Sequence, residues 1–98
     1  MPKKQLHADI QKAVKDWLQW HKWYIYRNQA SQFSEAGIAD LTGIKNGRII
    51  WIEIKTSEQD ALSSHQEAFK ENIRLNGGTY HRIWSIDQLE QMAVRGML

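Results

Sequence analysis

The chain has no cysteine. That excludes a disulfide framework, a thiolate zinc site and a cysteine nucleophile, and it fits a reducing compartment. No apolar run approaches the roughly 20 residues a membrane-spanning helix needs, so no membrane partner is expected. Internal repeats, low-complexity tracts and linker-like stretches are missing too. Met1 to Lys4 is basic but leads into a mixed-polarity helix, which is not the pattern of a signal peptide. What is there suits one globular domain over residues 1–98 with a modest core. Hydrophobic residues at 42% and charged residues at 24% are ordinary for a folded chain, so disorder is not expected. The net charge of +2 mildly favours a polyanionic partner and by itself decides nothing.

Apolar periodicity sets out the elements. Leu6, Ile10, Val14, Trp17, Leu18 and His21 recur at helical spacing, which predicts an amphipathic helix over residues 5–21. Trp23 to Arg27 is aromatic and β-branched, the signature of a strand. A polar loop follows to Gly37, then strands over Ile38–Ile44 and Arg48–Lys55. Asn46-Gly47 between them is a two-residue hairpin turn, because both residues tolerate positive φ. Residues 56–62 are a polar connection. Ser63 with Gln66 predicts a capping box on a helix carrying Phe69 and Ile73, ended by Gly77-Gly78. Tyr80–Trp84 is a further strand, and Ser85 with Gln88 repeats the capping pattern before a helix over Ile86–Arg95. The order α-β-β-β-α-β-α describes an α/β (α+β) fold, a mixed β-sheet flanked by helices.

The hairpin turn carries a chemical consequence. With Lys45 opposite Arg48, counting outward sets Asp40 opposite Glu53, their Cβ atoms about 4.5–5.5 Å apart on one face. Lys55 and Trp51 share that face, while Ile50, Ile52 and Ile54 point to the other, toward a core. Two carboxylates at about 5 Å repel by about 3 kcal/mol at an effective dielectric near 20. A divalent cation is the natural offset, since hard cations take carboxylate oxygens, and the Ile54 carbonyl is a further oxygen ligand within reach. Such an ion activates water and stabilises charge on a phosphate, with Lys55 placed to orient the water or neutralise that charge. The bland alternative is a surface network in which Lys55 bridges the two acids. Against it, Glu53 and Lys55 interrupt the apolar run Ile49-Ile50-Trp51-Ile52-Glu53-Ile54-Lys55, where solvation is not obviously available. Gly37 suits a backbone that must turn or be closely approached, or is an ordinary loop-ending glycine.

Gly37-Ile38-Ala39-Asp40-Leu41, followed across a hairpin by Glu53-Ile54-Lys55, resembles the PD-(D/E)XK nuclease superfamily, and within it the stand-alone VRR-NUC domain proteins of phages and bacteria. The likeness runs from about Leu6 to Leu89 and takes in Ile10-Gln11, Arg27-Asn28, Leu62-Ser63 with Gln66, and Gly77-Gly78. It implies a restriction-endonuclease-like core binding Mg²⁺ or Mn²⁺, with Asp40 and Glu53 as metal ligands, Lys55 as the catalytic lysine and Gln66 supporting the site. It further implies a homodimer in a bacterial or phage-infected cytoplasm that cuts branched DNA such as four-way junctions. One departure stands out. The family places a glutamate four residues before the glutamine matching Gln11, and here that residue is His7. His7 is a ligand, a proton carrier or merely solvated, and Asp9 points about 160° away from it on the helix. Arg27, Lys45 and Arg48 are candidate phosphate contacts. The five tryptophans are expected mostly in the core, with dimer surface or base stacking as alternatives. At most one of His81 and Arg82, alternating on their strand, faces the active side. Two other functions remain open: a nuclease fold that grips nucleic acid or a replication protein without cutting, and an interaction protein whose tryptophans form the interface.

Overall fold

A computed structural model describes residues 3–98, with side chains from Leu6 onward. The basic cluster at Met1–Lys4 therefore lies largely outside the described residues. The elements are α1 (Lys3–Trp20), β1 (Tyr24–Arg27), β2 (Leu41–Lys45), β3 (Arg48–Ile54), α2 (Ser64–Leu75), β4 (Thr79–Ile83) and α3 (Ile86–Val94). Their order is the one the periodicity predicts. The strands form one mixed sheet in the order β1-β2-β3-β4, antiparallel except for the parallel β3–β4 pair that α2 connects.

The hairpin register is set by its turn. Asn46 and Gly47 both have positive φ, 51° and 80°, and Lys45 pairs with Arg48. This is a mirror-image turn whose twist matches that of the flanking strands. From it the ladder runs to Leu41–Ile52. Ile50, Ile52 and Ile54 thus fall on one face, fully buried with Leu41, Ile25, Trp23 and Ile83. Helices α1 and α3 close over them through Val14, Leu18, Leu89 and Met92. Each such side chain contributes roughly 1.5–3 kcal/mol by leaving water. His21, assigned by spacing to the α1 stripe, is instead exposed past the helix end, stacked on Trp17.

The other face receives α2. Phe69 packs on Tyr80 of β4, and Gly78 fits between Ile73 and Trp51, where a methyl group would meet both. The α2 cap is a complete capping box: Ser63 Oγ accepts the Gln66 N–H and the Gln66 side chain accepts the Ser63 N–H. The second expected box, at α3, is half formed. Ser85 Oγ accepts the Gln88 N–H, but the Gln88 side chain bonds the Trp84 N–H and the Arg82 carbonyl, tying the helix to the strand before it.

Residues 38–40 are not strand, contrary to the sequence expectation. Gly37 at φ +72° turns the chain, and Ile38 donates back to the Glu35 carbonyl, so the extended run begins only at Leu41. Gly37 also lies against the first turn of α2, where a Cβ would run into the His65 carbonyl. Among the tryptophans, Trp23 is buried and Trp17 packs partly on the core, Trp51 and Trp84 are half-buried, and Trp20 is 81% exposed. Among the described residues no helix is long and apolar enough to cross a membrane.

Candidate active site

The carboxylates meet at the open end of the hairpin, away from its turn. Asp40 stands one residue before β2, so the expected cross-strand pairing with Glu53 is not part of the ladder. The side chain takes over where the ladder stops: Asp40 Oδ2 accepts the Ile54 N–H at 2.7 Å. Asn28 fixes the Asp40 backbone. Its N–H bonds the Asp40 carbonyl at 2.8 Å, and its amide donates to the Ala39 carbonyl and to Thr42 Oγ1. The sequence offered one hint of this role, a polar side chain directly following an aromatic strand.

Glu53 lies on β3 opposite Arg82 of β4, facing α2, and is only 4% exposed. Gln66 Nε2 donates to Glu53 Oε2 at 3.3 Å, and Gln66 Oε1 accepts from Lys55 Nζ at 2.9 Å. That Oε1 is the atom that completes the α2 capping box. One glutamine therefore ties the helix start to both the acid and the lysine. Among the described residues, no N–H or O–H reaches Glu53 Oε1. Burial, then the neighbouring Asp40 carboxylate, pushes the Glu53 carboxyl up to about 9, with Lys55 opposing.

His7 approaches from α1, its Nε2 3.4 Å from Asp40 Oδ2. Ligand-type atoms of His7, Asp40 and Glu53 all lie within 4.8 Å of one another. The three border an open cavity together with Ile54, Lys55, Thr56, Asp60 and Gln66. The Ile54 side chain is in the core, so its backbone is what faces the cavity. The donor set fits a divalent cation. A buried carboxylate oxygen with no donor, a second carboxylate and an imidazole beside it are groups that take such an ion, and it would offset the burial and the Asp40 repulsion that raise Glu53.

Thr56 and Asp60 were not foreseen. Asp60 Oδ2 accepts from both the N–H and the hydroxyl of Thr56. The Arg82 guanidinium donates to the Glu58 and Asp60 carbonyls and lies 4.7 Å from the Trp84 ring centre. Arg82 thus clamps the loop that walls the site, and His81 points to the opposite face with Ile52, as strand alternation requires. A polar loop carries no periodic signal that would assign such contacts.

The candidate phosphate contacts are dispersed. Arg27 is exposed at the end of β1, next to the Asn28 that holds Asp40. Lys45 and Arg48 sit at the hairpin tip, on the α1–α3 side by register. Both lie over the Trp23 ring, and Arg48 also bonds the Met97 carbonyl. Arg48 is five residues from Glu53, about 16 Å along the strand.

No protein-family model matches the sequence, and no curated protein matches it. A solved structure described as a VRR_NUC domain is similar to it, with a TM-score of 0.77 over 90% of this chain and 94% of that one, at 21% identity. The likeness is one of fold: this chain has the nuclease-type α+β fold of that VRR_NUC domain.

Proposed function

We propose that this protein is a divalent-metal-dependent endonuclease that hydrolyses phosphodiester bonds in DNA. The observation that carries the reading is the half-buried Asp40 carboxylate beside a buried Glu53 with a donor-free oxygen, next to Lys55 on a nuclease-type fold. Asp40, Glu53 and the Ile54 carbonyl would hold Mg²⁺ or Mn²⁺, with His7 at the rim. When bound, the ion supplies Lewis acidity to the phosphoryl oxygens and favours deprotonation of a nearby water. The protein's own groups do the rest. Lys55 Nζ, aimed by Gln66, stabilises negative charge building on the phosphate or orients the attacking water. Gln66 also holds Glu53 Oε2, so its rotamer is fixed before substrate arrives. Asn28 keeps Asp40 in register.

Arg27 is the phosphate contact nearest the site, and Lys45 and Arg48 would grip a more distant part of the backbone. A domain of 98 residues has little surface for a large duplex. A two-fold homodimer would put two sites on one substrate and suit a branched, two-fold DNA such as a four-way junction. The setting would be the cytoplasm of a bacterial or phage-infected cell.

The test is incubation with branched, flap and plain duplex DNA, with and without Mn²⁺. Metal-dependent cleavage, strongest on branched DNA and lost in Glu53→Ala and Lys55→Ala, is the expected result. Full activity in either variant would overturn the mechanism. Tight metal-independent binding without turnover would favour a non-cleaving nucleic-acid-binding module. A monomer by light scattering at working concentration would remove the dimer.

A further inference from the structure

His7 occupies a position that helix periodicity reserves for the buried face. It precedes Ile10, Val14 and Leu18 at spacings of three, four and four residues, and these three pack on the core. A side chain at that position is carried toward the sheet, and His7, still about a third exposed, reaches the rim of the cavity. Its Nε2 comes within 3.4 Å of Asp40 Oδ2 and within 4.8 Å of a Glu53 oxygen. Ligands of one octahedral ion at about 2.1 Å stand about 3 Å apart when adjacent and about 4.2 Å apart when opposite. The three groups are therefore a small rotamer change from a common ion. No other histidine borders the cavity among the described residues.

The chemistry of that set is one imidazole nitrogen and two carboxylates. Mg²⁺ demands oxygen ligands and gives up its waters reluctantly. Imidazole suits first-row transition ions, whose affinity for nitrogen-containing sites rises from Mn²⁺ toward Co²⁺ and beyond. We propose that His7 is a direct ligand that makes this a mixed nitrogen–oxygen site selective for first-row transition cations over Mg²⁺. The inference rests on the metal-site reading above and adds the identity of the ion to it. A carboxylate at position 7 would give the opposite preference.

The test uses the full chain without DNA, so no cleavage is needed. Electron spin-echo modulation of the Mn²⁺-loaded protein should show coupling to a ¹⁴N nucleus, lost in His7→Ala and His7→Gln. Calorimetry should show that the wild-type chain binds Mn²⁺ and Co²⁺ at least about tenfold more tightly than Mg²⁺. His7→Ala should erase most of that preference while leaving Mg²⁺ affinity within about twofold, and His7→Glu should move it toward Mg²⁺. Mn²⁺ bound without ¹⁴N coupling, or with an equal loss of Mn²⁺ and Mg²⁺ in His7→Ala, would overturn the role of His7 and leave the metal site standing. If the wild-type chain binds neither ion, the metal site itself fails and this inference with it. The wild-type ¹⁴N measurement decides the matter even if a His7 variant folds poorly.

Discussion

The two ends of the β2–β3 hairpin carry charge in opposite ways. At the tip, Lys45 and Arg48 flank a turn whose two residues already have the φ it needs, and their side chains lie over Trp23 near solvent. At the open end, Asp40 and Glu53 bring like charges together where Glu53 is almost fully buried. Solvated charges at a turn cost little, and exposed cation–ring contacts return about 0.5–1 kcal/mol. Buried like charges must either share a proton or meet a cation. On the proposed function, the same short hairpin has a structural end and a chemical end, about 16 Å apart.

The largest effect should come from the chemical end. Asp40→Ala, Glu53→Ala or Lys55→Ala should each lower DNA cleavage by about 10²–10³ or more, measured as initial rates on branched DNA with Mn²⁺. Equal activity in Lys45→Ala would sharpen the contrast. Equal activity in Glu53→Ala would erase it.

That contrast was partly legible beforehand. Asn46-Gly47 fixed the register, and register alone put Asp40, Glu53 and Lys55 on one side and the three isoleucines on the other. Element order followed from periodicity, because each amphipathic stripe has one sheet face to cover. What could not be read was where the ladder stops. A carboxylate replaces a backbone acceptor at Ile54, and the turn at Gly37, packed against the first turn of α2, delays the start of β2 to Leu41. The Thr56–Asp60 loop and the Arg82 clamp were equally silent, since polar loops encode contacts by shape rather than by spacing. His7, in contrast, stands out in the sequence only through the family resemblance, as the residue in place of an expected glutamate, and the α1 stripe as read from spacing begins with Leu6 rather than His7.

Next in size is Gln66, which serves both the cap and the site. Gln66→Ala should cost about 1 kcal/mol in urea unfolding, as other lost caps do. It should also cost about 10–100-fold in cleavage, as other lost positioning contacts do. Ser63→Ala removes the cap bond to the Gln66 N–H but leaves the Gln66 side chain on Lys55 and Glu53. It should therefore show the stability loss with much less loss of rate. If the two variants lose activity equally, Gln66 acts only through the helix.

The pH dependence of stability should follow, and it separates the two ends without DNA. In the metal-free folded protein Glu53 is held protonated up to about 9, whereas an unfolded glutamate ionises near 4.5. Between these values the unfolded chain has released a proton that the folded chain retains, so folding loses stability as pH rises. The contribution is fully present below about 4.5 and is lost progressively toward about 9. Thermal melts in chelator should thus fall across this window, by at most one proton's worth of slope per site. Glu53→Gln should flatten the slope, as should saturating divalent cation, which favours the ionised pair. A slope unchanged in Glu53→Gln would place its origin elsewhere.

The smallest effect belongs to the tip. Lys45→Ala with Arg48→Ala removes a half-buried and an exposed cation lying over Trp23 and the bond from Arg48 to the Met97 carbonyl. Stability should change by about 1 kcal/mol or less, since exposed cation–ring contacts are weak. If these residues touch a distant phosphate, DNA affinity should fall modestly, and the slope of log K against log salt should lose about 0.9 per contact. Cleavage at saturating DNA should be unchanged, because neither side chain reaches the cavity that Asp40, Glu53 and Lys55 line. A drop in the saturated rate would mean that the two ends of the hairpin are coupled, through a second copy of the chain or through bent DNA. The two ends would then act as one DNA-binding surface.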